Sequence, residues 1–172
     1  MVFVVLAKAK AYNEGMMSDT DIMAQALLEA RQALLRGDVP VGAVLVKDGR
    51  ILASASNLKT NDPTAHAEMQ VIRASAERAD NWNLQGCDLY VTLEPCPMCA
   101  GACVNARLRT IVFGAKDPRA GAVGSLFDIP RDGRLNHQCR VRGGVLKELC
   151  AEILMEYFRM KRKQKPYKTG GE

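Results

Sequence analysis

The sequence predicts a layered α/β domain, and three observations support that fold class. Apolar, β-branched runs alternate along the chain with segments whose apolar residues recur at helical spacing. Asp48-Gly49 separates the first two runs and is a strong hairpin signal. The 172 residues contain no internal repeat and no linker, and their number suits one domain with a substantial core. Strands that alternate with helices after an initial hairpin are typical of a sheet covered by helices.

The first helix and the hairpin follow from local signals. Ser18 is a good N-cap, because acidic residues occupy the turn that follows it, and Gly37 is well placed to end the helix. Residues 41–46 and 51–56 are then the two strands of the hairpin. The residues expected to face the core are apolar and helically spaced: Ile22, Ala26, Leu27, Ala30, Ala33 and Leu34.

The later elements are predicted from caps, prolines and apolar runs. Asp62 or Thr64 is expected to cap a second helix that has Pro63 at its first position and runs to about residue 78. Pro95 should end the third strand and open the third helix. The remaining elements are a third strand over 89–92, a third helix over 96–105, a fourth strand over 110–114, a long loop over 116–133, a short fifth strand near 139–141 and a last helix over 145–163. The apolar stripe of that last helix comprises Leu146, Leu149, Ile153, Leu154 and Phe158.

Composition argues against membrane-spanning and secreted proteins. The apolar fraction of 48% and the charged fraction of 25% are ordinary for a soluble protein, and no apolar run is long enough to span a bilayer. The apolar stretch over 1–7 has no basic region before it and is too short for a secretory signal, so we expect a cytoplasmic protein. We further expect an N-terminal extension of uncertain order over 1–17, a domain over 18–163 and a basic, flexible tail over 164–172.

Two short motifs, His66-Ala67-Glu68 and Cys96-Pro97-Met98-Cys99, contain the residues best suited to metal chemistry. In a chain without a secretion signal, six cysteines favour reduced thiols and metal binding over disulfides. Cys96 and Cys99 are three residues apart at a helix start, so their thiols share one face and the helix N-terminus stabilises the thiolate form that binds metal. With His66 as the third ligand, they predict a zinc site whose fourth position is left to water, as in catalytic zinc sites.

Glu68 is interpreted as the proton carrier beside this site. Residues two apart do not face the same way on a helix, so Glu68 is not expected to share the metal with His66. A carboxylate next to a metal-activated water is what hydrolysis needs. Cys103, one turn beyond Cys99, is the candidate fourth ligand of a structural site, but we expect it in the core. The other cysteines are also expected to be small buried hydrophobic residues: Cys87, Cys139 and Cys150.

A redox function is the first alternative for the cysteine pair. Cys-x-x-Cys alone is a weak signal, because it is equally typical of thioredoxin-like proteins. That interpretation requires the pair early in a βαβ unit, and it leaves His66 and Glu68 without a role. The metal interpretation is therefore favoured.

Together the two motifs match the H-x-E…P-C-x-x-C signature of zinc-dependent deaminases. Over about residues 18–163 the chain resembles the tRNA-specific adenosine deaminases of bacteria, a branch of the cytidine/deoxycytidylate deaminase family. The stretches that carry the resemblance are 39–44, 62–68, 89–96, 98–102, 121–126, 136–137 and 157–160.

The resemblance implies a three-layer α/β/α fold with a mixed sheet of about five strands and helices on both faces. It implies a homodimer with one Zn²⁺ per subunit, held by His66, Cys96 and Cys99. The implied reaction is hydrolysis of adenosine to inosine at the wobble position of a tRNA anticodon. Glu68 would move protons from a zinc-activated water to N1 of the purine and to the leaving amine. An anticodon loop is single-stranded, so its base reaches a pocket easily; no DNA or membrane partner is expected.

Candidate substrate contacts lie outside the two motifs. Asn57 is the candidate for a hydrogen bond to the nucleoside. The long loop over 116–126 and the side chains of Asn136, His137, Phe158 and Arg159 are candidates for contacts with flanking nucleotides. Some have alternatives that the sequence leaves open: Phe158 as the last core residue of its helix, His137 as a residue that only fixes the loop, and Asp117 as a turn residue.

The distribution of charge bears on the partner. The formal net charge is +5, and the basic residues at the end of the last helix have no acid among them: Arg159, Lys161, Arg162, Lys163, Lys165 and Lys168. They predict contacts with nucleic-acid phosphates, and the alternative is a solvated helix end that suits the helix dipole. Two other functions compete with tRNA deamination: deamination of free guanine or cytosine-type bases or nucleotides on the same fold, and RNA binding by a module whose zinc is only structural.

Overall fold

The computed structural model describes residues 17–59 and 62–164, in which a five-stranded sheet lies between two pairs of helices. The predictions for 1–16, for Thr60 and Asn61 and for the tail beyond Gln164 fall outside the described residues. In chain order the elements are α1 (Asp19–Leu35), β1 (Gly42–Lys47), β2 (Arg50–Ser56), α2 (Ala67–Ala79), β3 (Cys87–Leu93), α3 (Pro97–Asn105), β4 (Thr110–Ala115), a 3₁₀ turn (Ile129–Arg131), β5 (Arg140–Gly143) and α4 (Lys147–Gln164).

The sheet is mixed, as predicted. Its strand order is β2-β1-β3-β4-β5. β1 is antiparallel to both β2 and β3, whereas β3, β4 and β5 run parallel. The carboxyl ends of β3 and β4 therefore lie at the same edge of the sheet. The segments that follow these two strands are close together there.

Helices cover both faces of the sheet and produce the expected three layers. Alternate residues of β1 point to opposite faces: Leu45 packs in a cluster with Val71 of α2 and Cys103 of α3. Val44 packs in a second cluster with Met23 of α1 and Cys150 of α4. The central strands are thus buried on both sides. No helix within 17–59 and 62–164 is both long and apolar enough to cross a membrane.

Three local predictions are confirmed. Ser18 caps α1 in a capping box with Asp21. Gly37 follows the end of α1 with φ +77°, a left-handed conformation that suits glycine. Asp48 and Gly49 have φ +49° and +73°, which is the pair of positive angles that a tight hairpin turn needs.

The predicted start of the second helix is wrong. Asp62 and Thr64 form a local turn in which the backbone N–H and hydroxyl of Thr64 both donate to Asp62 Oδ1. His66 is still extended, and α2 begins only at Ala67. The N–H of Ala67 donates to Asn57 Oδ1 at 2.9 Å, so a residue ten positions earlier supplies the capping oxygen.

The third and fourth helices also differ from prediction in detail. α3 begins at Pro97 rather than Cys96, because a proline at the first helical position loses no hydrogen bond. α4 begins at Lys147, since Leu146 has φ +50° and cannot continue a helix. The buried residues of α4 are Cys150 and Ile153. The prediction that Leu149 is buried is wrong, because 51% of its surface is exposed.

Candidate metal centre and active-site cavity

The N-termini of α2 and α3 bring the predicted metal ligands together. His66 is the N-cap residue of α2, and Cys96 is the N-cap residue of α3; neither makes a side-chain capping hydrogen bond. Cys99 lies in the first turn of α3 and is fully buried. The two N-cap side chains are therefore free to face each other, and the positive ends of two helix dipoles point at the thiols.

The distances among these three side chains suit zinc. His66 Nδ1 lies 3.7 Å from Cys96 Sγ and 3.6 Å from Cys99 Sγ. A tetrahedral zinc with Zn–S of about 2.3 Å and Zn–N of about 2.0–2.1 Å requires such a pair to be roughly 3.5 Å apart. Within the described residues, these three are the one group of His, Cys, Asp or Glu side chains whose ligand atoms converge in this way.

The protonation of the cysteines is also suited to a metal. A hydrogen bond with Cys99 is the main reason that the pKa of the Cys96 thiol falls to about 3. The same bond and burial raise the pKa of Cys99. The hydrogen bond with Cys96 raises the pKa of His66. Thiolate and neutral imidazole are the forms that bind metal, so a divalent cation at this cluster would displace protons from it.

Glu68 lies beside the cluster rather than in it. Its side chain is only 3% exposed, and burial raises the pKa of its carboxyl group. Glu68 Oε2 is buried and has no hydrogen-bond partner among the described residues. Burying a carboxyl oxygen without a hydrogen bond costs folding free energy. This oxygen is therefore available to accept a hydrogen bond from a bound water or substrate.

The cluster opens into a cavity of about 660 Å³. His66, Glu68, Cys96 and Asn57 line its inner part. Its other lining residues come from the segments before β1 and after β2, from the end of β3, from the start of the long loop and from α4: Val39, Val41, Lys59, Leu93, Glu94, Lys116, Asp117, Pro118, Arg119, Ala120, Leu154, Met155, Phe158, Arg159 and Arg162. The volume is within the range of small-molecule and cofactor sites.

Asn57 is held firmly at the wall of this cavity. It is 3% exposed, and its Oδ1 accepts the hydrogen bond from Ala67 that begins α2. Its backbone oxygen accepts a hydrogen bond from the guanidinium group of Arg36. Because Oδ1 is already used, the amide NH₂ is the part of this side chain that offers hydrogen bonds to a ligand.

Comparison with known proteins agrees with this geometry. A profile of the MafB19-like deaminases matches residues 17–162. A tRNA-specific adenosine deaminase from Bacillus subtilis is 47% identical over 152 residues, which is 87% of this chain and 94% of that protein. This chain belongs to the tRNA-specific adenosine deaminase family.

Two solved structures are similar to this chain, and the first of them supports the same assignment. A chain from biochemical and structural studies of A-to-I editing by tRNA deaminases at the wobble position of transfer RNA is 47% identical, with a TM-score of 0.76 over 78% of this chain and 99% of that one. A guanine deaminase from Nitrosomonas europaea is 24% identical, with a TM-score of 0.66 over 81% and 84% of the two chains. The second similarity shows a shared fold only.

Phe158 and Arg159 lie at the rim of the cavity. Half of the Phe158 surface is exposed, so the alternative that it is the last core residue of α4 is wrong. Its ring meets the edge of the Tyr157 ring, with 5.3 Å between the centroids. The rim also has exposed cations from three segments of the chain: Lys59, Lys116, Arg119, Arg159 and Arg162.

Asn136 and His137 are not among the described residues that line the cavity. His137 Nε2 donates to the backbone oxygen of Leu108 at 2.7 Å. The Asn136 backbone oxygen accepts a hydrogen bond from Arg107 at 2.6 Å. Both bonds fix this segment to the turn between α3 and β4, so a contact with RNA there would be made outside the cavity.

The remaining cysteines have the predicted location. Cys103 is fully buried in the core between the sheet and α3 and is outside the ligand cluster. All six cysteines of the chain are free thiols in the structure, and the three others outside the cluster are buried: Cys87, Cys139 and Cys150. Asp117 Oδ1 accepts hydrogen bonds from the N–H groups of Arg119 and Ala120, as a turn residue does.

Sequence reasoning missed Glu94. This residue is 3% exposed, and its carboxylate accepts four hydrogen bonds from the loop that follows β4. Its partners are 23 to 31 residues away, so no short-range spacing reveals them. The available signal was an acidic residue directly after the largely buried strand β3, a position where an unpaired charge is rarely found.

Proposed function

We propose that this protein hydrolyses adenosine to inosine at the wobble position of a tRNA anticodon. The observation that carries the proposal is the convergence of His66 Nδ1, Cys96 Sγ and Cys99 Sγ beside the buried carboxyl group of Glu68, at the inner end of a cavity with a basic rim. We assign this activity to a domain over 18–163.

His66, Cys96 and Cys99 would hold one Zn²⁺ per chain. The donor set is one imidazole and two thiols, whose separations agree with tetrahedral zinc. When bound, zinc lowers the pKa of a coordinated water towards neutrality and so supplies the nucleophile.

Glu68 is proposed as the proton carrier. Its partnerless Oε2 accepts a proton from the attacking water and delivers it to N1 of the purine, while the water oxygen forms a bond to C6. Glu68 then moves the second proton to the amino nitrogen, the C6–N bond breaks, and ammonia leaves. The raised pKa of the Glu68 carboxyl group suits a residue that both takes and gives a proton near neutral pH.

Asn57 is proposed to orient the base. Its amide NH₂ is available to an acceptor on the nucleoside, and its position is fixed by α2 and Arg36. A fixed donor at the cavity wall would align C6 with the attacking oxygen, which is a large part of the catalytic effect of binding.

The rim of the cavity is proposed as the RNA-binding surface. The five exposed cations can neutralise phosphates on either side of the flipped nucleotide, and Phe158 offers a face for stacking a neighbouring base. Asn136 and His137 are secondary candidates, since their segment lies outside the cavity. A tRNA substrate agrees with the expected cytoplasmic location. We further propose that the protein forms a homodimer.

Two competing functions can be separated from this one. Deamination of free guanine or cytosine compounds would use the same four residues, but a small base has no use for the basic rim. A structural zinc would need no carboxyl group with an unpaired oxygen beside it.

The test is incubation of zinc-loaded protein with an adenosine-containing anticodon stem-loop, guanine and cytidine, with ammonia release as the measurement. We expect ammonia and inosine from the stem-loop alone. Ammonia from a free base, with none from the RNA, would contradict the proposal.

A further inference from the structure

Glu94 lies at the end of β3, directly before the segment that contains Cys96, and its carboxylate is enclosed by the loop over 116–125. Oε1 accepts hydrogen bonds from the backbone N–H groups of Val123 at 3.3 Å and Ser125 at 2.9 Å. Oε2 accepts from the N–H of Asp117 at 3.0 Å and from the Ser125 hydroxyl. Four donors therefore converge on one buried carboxylate, which is an arrangement that suits an anion.

Gly121 is required for this enclosure. A Cβ atom there would lie 2.4 Å from Glu94 Cδ and 2.5 Å from the backbone oxygen of Asp117. The N–H of Ala122 donates to the Pro95 backbone oxygen at 2.8 Å, so the loop is also attached to the residue after Glu94. The loop and the cysteine segment are thus joined both through the side chain and through the backbone.

The same loop forms one wall of the active-site cavity. The lining residues that the loop contributes are Lys116, Asp117, Pro118, Arg119 and Ala120. The loop has no helix or strand of its own between Ala115 and the 3₁₀ turn at Ile129. Its conformation therefore depends on hydrogen bonds within the loop and on the four bonds to Glu94, rather than on regular secondary structure.

We propose that Glu94 is a positioning residue, which fixes the loop over 116–125 as the wall that receives the nucleotides next to the reacting base. This inference rests on the proposed function for its substrate. Glu94 also lines the cavity, but both of its carboxylate oxygens are occupied by donors of the loop, so it acts on the substrate through that loop.

The Glu94→Gln variant tests the proposal with little change in shape. An amide has one oxygen and one NH₂, so one pair of the four donors would face another donor. If the NH₂ replaces Oε2, the bond from the Asp117 N–H is lost. If it replaces Oε1, the bonds from the backbone N–H groups of Val123 and Ser125 are lost. Ser125→Ala removes only the hydroxyl bond and retains the three backbone donors to Glu94.

Two matched controls are available on the other side of the molecule. Ser54 donates its hydroxyl to Glu29 at 2.7 Å, and neither residue lines the cavity. Glu29→Gln and Ser54→Ala therefore repeat the same chemical changes in a serine–carboxylate pair that has no link to the loop.

The experiment measures backbone amide exchange, zinc content and stem-loop kinetics in all four variants and the wild type. We expect Glu94→Gln to speed exchange at Asp117 or at Val123 and Ser125, to raise KM for the stem-loop on the order of tenfold, and to change kcat at saturation by less than about threefold, with one zinc retained. Ser125→Ala should show a smaller change in the same direction, and both control variants should match the wild type.

Unchanged exchange and unchanged KM in Glu94→Gln would overturn the proposal, as would a loss of kcat with no change in KM. If Glu94→Gln failed to fold, Ser125→Ala compared with Ser54→Ala would decide it by the same readouts. A wild-type protein without inosine formation would contradict the proposed function instead, and the amide exchange would still decide whether Glu94 holds the loop.

Discussion

The metal-ligand cluster and the rim of the cavity are built in different ways. The cluster consists of side chains at the first turns of two helices, and its geometry is fixed by the packing of those helices on the sheet. The rim combines a loop, the end of α4 and single residues from distant parts of the chain. If the proposed function is right, we expect the chemistry to depend on this rigid core and the choice of substrate to depend on a surface that a few side chains can alter.

The largest expected effect is at Glu68, in the core region. Glu68→Ala should lower the rate of inosine formation by roughly 10²–10⁴-fold, because the proton carrier is lost. Zinc content and the thermal unfolding midpoint should be maintained, because Glu68 is outside the ligand cluster. A single-turnover assay with metal analysis checks this. Loss of zinc in parallel with activity would mean that Glu68 is itself a ligand.

The two buried cysteines of α3 provide the next comparison. Cys99→Ser should weaken zinc binding by more than the 10–100-fold that changes outside the ligand set produce. Cys103→Ala, one turn further along, should keep one zinc and cost about 1 kcal/mol of stability, because the residue is buried in the core. Zinc titration against a competing chelator measures both. Equal weakening in the two variants would contradict the division between ligand and core residue.

The structure also shows how far the sequence alone could lead. The convergence of His66, Cys96 and Cys99 could be predicted because each of them lies at a helix start within a short motif, where spacing determines direction. The start of α2 could not be predicted in this way. Its capping oxygen comes from Asn57, which is ten residues earlier in the chain and is separated from the helix by a turn. The exposure of Phe158 could not be predicted either, because the apolar spacing of α4 continues past Ile153, beyond which the described part of the chain has no buried residue.

A moderate effect is expected at the rim. Arg159→Ala should weaken stem-loop binding and reduce the slope of log affinity against log salt by about one phosphate contact. Phe158→Ala should cost about 1–3 kcal/mol of binding if a base stacks on it, with little change in the salt slope. Fluorescence anisotropy over a salt series distinguishes the two contributions. Unchanged binding in both variants would show that the end of α4 is only a solvated helix end.

The smallest effect is expected at His137. His137→Ala removes the hydrogen bond to the Leu108 backbone oxygen and should cost about 1 kcal/mol of stability. Its effect on stem-loop binding should be smaller than that of Phe158→Ala, because His137 does not line the cavity. Chemical denaturation and anisotropy measurements check both. A large loss of binding with unchanged stability would make His137 a direct RNA contact.

The most direct test of the whole assignment is a zinc titration of metal-free protein with an anticodon stem-loop as substrate and inosine as the readout. We expect no inosine in the presence of chelator, and a rate that rises with added zinc and saturates at one equivalent per chain. A rate that is independent of zinc, or that never appears when one equivalent is bound, would contradict the assignment of His66, Cys96 and Cys99 as the centre of this deaminase.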